Sequence, residues 1–134
     1  MRNNTRAFLL FILLTTIKFV AFGQQPVQQK TPETAWYNAL DYWEKEKFSA
    51  AQKNFIEAAN FFNNTKDSRL ADCDFYSSWC ALKLYNRDAE YRFKQFIFNH
   101  PDDYRIDRVY FLLGKYNFER KKYKKAISYF KKLN

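Results

Sequence analysis

Glycine and proline are nearly missing from this chain, which carries two glycines and three prolines in 134 residues. Tight hairpin turns call for glycine, so a β-rich fold with many short turns is excluded. Gly114 lies inside a periodic segment, Pro26 and Pro32 precede the periodic region, and Pro101 alone falls later. Histidine occurs once, at His100 in Asn-His-Pro, where it is expected to close a helix. Asp102 and Asp103 follow and are expected to cap the next helix. There is no glycine-rich phosphate loop, GxSxG elbow, HExxH or CxxC, so the chain is expected to be no enzyme and to hold neither cofactor nor metal. The two cysteines, Cys73 and Cys80, are seven apart on one predicted helix. Their Cα atoms would lie about 10 Å apart, beyond disulfide reach, so both are expected as small core residues. Asn63-Asn64-Thr65 fits a glycosylation acceptor, a pattern common by chance.

Residues 1–23 read as an export signal. Arg2 and Arg6 form a basic start, Ala7 to Leu14 is an unbroken apolar run, and Ala21-Phe22-Gly23 offers small residues for cleavage before Gln24. The rival, an uncleaved anchor, is weakened by Lys18, because a spanning helix needs about 20 apolar residues. No cysteine follows the run, which excludes a lipoprotein signal. Removal would lower the net charge from +9 to +6 and place the chain in the periplasm or at the outer membrane. Residues 24–32 form a polar linker, with Thr31-Pro32-Glu33 at its end reading as a helix start.

From 33 onward the apolar residues recur at helical spacing in six blocks. They are carried by Trp36, Ala39, Leu40 and Trp43; by Phe48, Ala51, Phe55, Ala58 and Phe62; by Leu70, Cys73, Tyr76, Cys80 and Leu84, widened by Phe75 and Trp79; by Ala89, Phe93, Phe96 and Ile97; by Val109, Leu112, Leu113 and Tyr116; and by Tyr123, Ala126, Ile127 and Phe130. Polar breaks at 44–47, 63–68, 85–88, 99–103 and 120–122 separate them. The predicted fold class is all-α.

The blocks repeat in pairs. Segments 48–59, 86–97 and 123–134 align on alanine followed four residues later by phenylalanine: Ala51/Phe55, Ala89/Phe93 and Ala126/Phe130, the alanines 38 and 37 apart. Such a period marks a stack of helix pairs. At these residues the chain resembles the tetratricopeptide repeat family. The third unit carries Tyr110-x-x-Leu113-Gly114, Phe118 and Tyr123-x-x-Ala126-x-x-x-Phe130; the first carries Ala39, Tyr42, Phe48, Ala51, Phe55 and Ala58; the second keeps Ala89, Phe93 and Pro101 but has Ser77, Cys80 and Asn86 at family positions. The resemblance covers 33–134 and is greatest to exported, long-period repeat proteins of bacterial envelopes, of the outer-membrane assembly and TolA-binding types. It implies a right-handed superhelical solenoid of about three antiparallel helix pairs. Because Phe130 and Leu133 would leave an apolar edge, the array is expected either to continue beyond 134 or to dock a partner there.

The resemblance further implies a non-catalytic scaffold binding partner peptides or proteins on its concave face, which the first helix of each pair lines. Carried over by position, that face takes Trp36, Leu40 and Trp43, then Asp74, Ser78 and Ala81, then Phe111, Lys115 and Phe118. Their alternative role is packing between neighbouring helices. The basic run of Lys115, Arg120, Lys121, Lys122, Lys124, Lys125, Lys131 and Lys132 is expected on a solvated face, with an acidic partner or peripheral contact with an anionic membrane as alternatives and nucleic acid disfavoured. A second function class, an accessory repeat module of a larger envelope enzyme or transporter, differs by requiring chemistry outside these residues.

Overall fold

The computed structural model describes residues 31–133; the predicted signal 1–23, residues 24–30 of the linker, and Asn134 lie outside the described residues. Six helices follow one another: α1 (Pro32–Glu44), α2 (Phe48–Thr65), α3 (Leu70–Lys83), α4 (Ala89–Asn99), α5 (Ile106–Glu119) and α6 (Tyr123–Phe130). They hold 76% of the described residues, with no strand among them, which settles the class as all-α. Thr31 and Pro32, the last residues of the linker range, are the cap and first residue of α1. The Thr34 amide donates to Thr31 Oγ1 at 3.1 Å, and proline stands where a helix has no use for its missing N–H.

The scarcity of glycine does not stop the chain from turning; other residues take the left-handed conformation instead. Glu46, Tyr85 and Lys121, with φ of 53°, 54° and 59°, sit between α1 and α2, α3 and α4, and α5 and α6. Each is followed by an amide that reaches back to a carbonyl near the end of the preceding helix: Lys47 to Tyr42 at 2.8 Å, Asn86 to Ala81 at 2.9 Å and Lys122 to Asn117 at 2.9 Å. This closure satisfies carbonyls that a helix end leaves open. The three connections thus open with the same left-handed residue and closing hydrogen bond, although the left-handed residue differs in each. Lys66, φ 55°, ends α2 in the same way, with the Asp67 amide on the Phe62 carbonyl.

Consecutive helices pack in chain order and enclose two apolar clusters. The first joins Ala35 and Ala39 of α1, Ala51, Phe55, Ala58 and Phe62 of α2, and Cys73 and Cys80 of α3. The second joins Phe75 and Leu82 of α3 to Phe93 and Phe96 of α4, Val109 and Leu113 of α5, and Tyr129 of α6. Helix α3 belongs to both, one flank small and the other bulky. Both cysteines are free and buried, as expected.

Each helix pair also carries an aromatic wedge on its first helix. Trp36 meets Phe55 and Phe62 at 5.9 and 6.3 Å, Phe75 meets Phe93 and Phe96 at 5.9 and 5.5 Å, and Phe111 meets Phe130 at 6.2 Å. The first four contacts are edge-on and the last is tilted, geometries that add to the burial itself.

The sixth stripe leaves the apolar edge expected at Phe130 and extends it to Tyr123 and Ile127. Ala126 and Tyr129 are buried, whereas Tyr123, Ile127 and Phe130 are 52%, 54% and 36% exposed. Only the side of α6 toward α4 and α5 is covered by described residues. Phe130 leaves the pattern of the buried Phe55 and Phe93 and lies on Gly114, where an added Cβ would stand 2.3 Å from its ring. That close approach is what the helical glycine permits.

Candidate binding groove between α3 and α5

The junctions between pairs are built from a motif that recurs 36 residues apart: Asp67-x-Arg69 before α3 and Asp103-x-Arg105 before α5. In each, the aspartate Oδ1 accepts both the arginine amide, at 2.9 Å, and its Nε, at 2.9 and 2.8 Å, and the second oxygen takes a guanidinium nitrogen at 2.6 and 2.7 Å. The guanidinium then reaches an acid in the first turn of the preceding pair. Arg69 lies 3.7 Å from Glu33, and Arg105 lies 2.6 Å from Asp72. It also covers an aromatic ring of that pair: Arg69 over Phe62 at 4.2 Å, Arg105 over Phe75 at 4.8 Å. The planar fork suits both tasks at once. Hydrogen bonds from Arg69 hold the Asp67 carboxyl at about 2, and those from Arg105 hold Asp103 below the usual carboxylate range. Neither of the expected acids caps α5, whose N-cap is Arg105 with no side-chain bond to the helix; Asp103 instead fixes Arg105, 7% exposed.

The other displaced groups are also occupied by packing. Burial pushes Glu90 up, but hydrogen bonds from Lys125, Tyr129 and Lys94 outweigh it and hold the carboxyl at about 2. Burial raises both thiols, Cys73 and Cys80, to about 12, so they stay protonated and are not nucleophiles. His100 caps α4 as expected, its amide on the Phe96 carbonyl, and its Nε2 lies 2.9 Å from Asp74 Oδ2.

With the pairs fixed in this way, α3 and α5 flank a cleft of about 380 Å³. Its floor is apolar, from Trp79, Leu82, Leu112 and Tyr116, and Phe111 stands at its side, 51% exposed. Lys83, Arg108 and Lys115 line it with positive charge; Glu119 is the one carboxylate in the lining. Arg108 lies over the Trp79 ring at 4.4 Å, and Trp79 in turn rests against Trp43 at 4.9 Å. Among the described residues neither Lys83 nor Arg108 has an ion-pair partner. Glu119 is shared between Lys115, at 3.9 Å, and the Tyr85 hydroxyl, which donates to it at 3.4 Å.

Of the nine residues expected on a binding face, the structure brings Phe111 and Lys115 together in this cleft. Trp36, Leu40 and Trp43 are committed to the first apolar cluster, with Trp43 wedged among Phe48, Tyr76 and Trp79. Phe118 is exposed but turns to Tyr123, ring centroids 5.4 Å apart. Asp74 and Ser78 lie on the other flank of α3, toward α4: Ser78 is 3% exposed and donates to the Asp74 carbonyl at 2.7 Å. Ala81 is buried. The displacement has a simple origin. Aligning units two and three on Ala89 and Ala126 shifts the helices by 37 residues, but α3 and α5 start 36 apart, because the turn from Tyr85 to Ala89 is one residue shorter than that from Lys121 to Ala126. One residue is about 100° on a helix, so Trp79 and Leu82, not Ser78 and Ala81, correspond to Lys115 and Phe118.

Trp79 and Arg108 were therefore missing from the expected site. The repeated Asp-x-Arg was the legible signal that would have set the register. Comparison with protein-family models, with curated proteins and with solved structures finds no match to this chain.

Proposed function

We propose that residues 31–133 are three tetratricopeptide-like pairs of a right-handed solenoid, in an exported protein of the cell envelope that binds other proteins without catalysing a reaction. Three helix ends closed by the same left-handed residue and hydrogen bond, and two Asp-x-Arg junctions, support the repeat. The observation that carries the binding role is the cleft between α3 and α5, the first helices of successive pairs, where an exposed phenylalanine meets unpaired cations. An apolar floor with a few convergent polar groups is the usual make-up of a ligand site. The displaced carboxylates and arginines hold helices or junctions in place and both thiols are buried and protonated, which favours binding over catalysis.

Photo-crosslinking tests this directly. A benzoylphenylalanine in place of Phe111, introduced into the full chain in cells, is expected to give a discrete protein adduct in the envelope fraction. The same group in place of Tyr37, exposed on α1, is expected to give none. Adducts of equal yield at both positions, or none at Phe111, would overturn the assignment.

A further inference from the structure

We infer that the cleft between α3 and α5 takes an extended acidic polypeptide segment that seats an apolar side chain against the exposed side of Phe111, an inference resting on the scaffold role proposed above. Charge complementarity is the first support: Lys83, Arg108 and Lys115 face one carboxylate, Glu119, and that carboxylate is already shared between Lys115 and Tyr85. Two of the three cations have no ion-pair partner among the described residues, so an incoming carboxylate would supply what the fold does not. Size is the second. The cleft, about 380 Å³, has room for one large apolar side chain and the short stretch of backbone beside it. The third is the aromatic lining. Phe111 exposes half its surface with no polar atom to solvate, which favours an apolar anchor flanked by charge.

The same lining disfavours the other polyanions. Trp79 already carries Arg108 over its ring and Trp43 at its flank, so it offers a nucleic-acid base no open platform. Cations set in a cleft between two helices do not present together to a flat membrane, as a surface patch would.

The test uses the full chain and a fluorescein-labelled peptide of aspartate and glutamate with one central leucine, followed by anisotropy. Arg108→Glu and Lys115→Glu are each expected to weaken binding about tenfold, and Glu119→Gln to strengthen it about threefold. Lys53→Glu and Lys124→Glu, equal changes of net charge at exposed sites outside the cleft, are expected to stay within about twofold of wild type. Replacing the leucine by glycine is expected to weaken binding about fivefold. The gain from Glu119→Gln cannot arise from misfolding, and far-UV circular dichroism checks the other variants. Losses at Lys53 or Lys124 as large as at Arg108, indifference to the leucine, or tighter binding of oligothymidylate or phosphatidylglycerol vesicles than of the peptide would each overturn the inference. If the Phe111 adduct forms but the peptide does not compete with it, the acidic assignment falls and the scaffold stands; if no adduct forms, both fall.

Discussion

At the residue scale, the left-handed turn positions show where this chain accepts strain. A side chain with a Cβ in that conformation is disfavoured by about 1–2 kcal/mol relative to the right-handed one, and glycine escapes most of it. Lys121, φ 59°, is exposed, and its backbone alone shapes the turn. Lys121→Gly is therefore expected to stabilise the fold by about 0.5–1 kcal/mol, the greater flexibility of unfolded glycine cancelling part of the gain. Urea denaturation measures it; a lower midpoint would show that the lysine side chain has a role the turn does not reveal. A low glycine content rightly excluded a hairpin-rich fold, but it did not show which residues would bend instead. That choice follows from a carbonyl five residues back needing a donor, and Glu46, Tyr85 and Lys121 share no side-chain feature that announces it.

At the element scale, α3 and the clasp between α4 and α6 behave differently from what a periodic stripe implies. A single stripe describes a helix with one buried flank; α3 has two, and their residues fill most of its turns. The α4–α6 clasp is polar: Glu90 accepts from the Tyr129 hydroxyl at 2.6 Å and sits 2.7 Å from Lys125 and 3.3 Å from Lys94. Its carboxyl is depressed on folding, from 4.5 to about 2. The associated stability is present above the unfolded value and is lost as pH falls from about 4.5 toward 2. Because both lysines are largely exposed, the loss is expected to be on the order of 2 kcal/mol rather than the full shift. Urea melts at pH 7 and pH 3 check this against Glu90→Gln, which should show a smaller acid loss than wild type; an equal loss in both would assign the acid sensitivity to other carboxylates.

At the scale of the whole described unit, two clusters that share one helix form one cooperative body. Trp36 and Trp43 report on the first cluster and Trp79 on the second. Tryptophan fluorescence and far-UV circular dichroism are expected to give coincident urea transitions, because neither cluster can lose α3 without exposing the other. A fluorescence transition ahead of the helical one would mean that the pairs unfold separately.

The sequence by itself determined the helices, their order and nearly all their boundaries, because apolar periodicity and the lack of glycine are local properties. It also located the helix start at Thr31-Pro32 and the burial of both cysteines. The tertiary structure alone decided which flank each residue presents at the cleft. A turn shorter by one residue rotated α3 against the alignment, moved Trp79 to the place given to Ser78, and turned Asp74 to His100. It likewise decided that Ile127 stays about half in solvent, since a stripe records which residues are apolar and not whether a neighbour stands opposite. Register and cover are long-range facts. They depend on how Asp67-x-Arg69 and Asp103-x-Arg105 lock one pair onto the next, and those contacts bring together residues more than thirty positions apart.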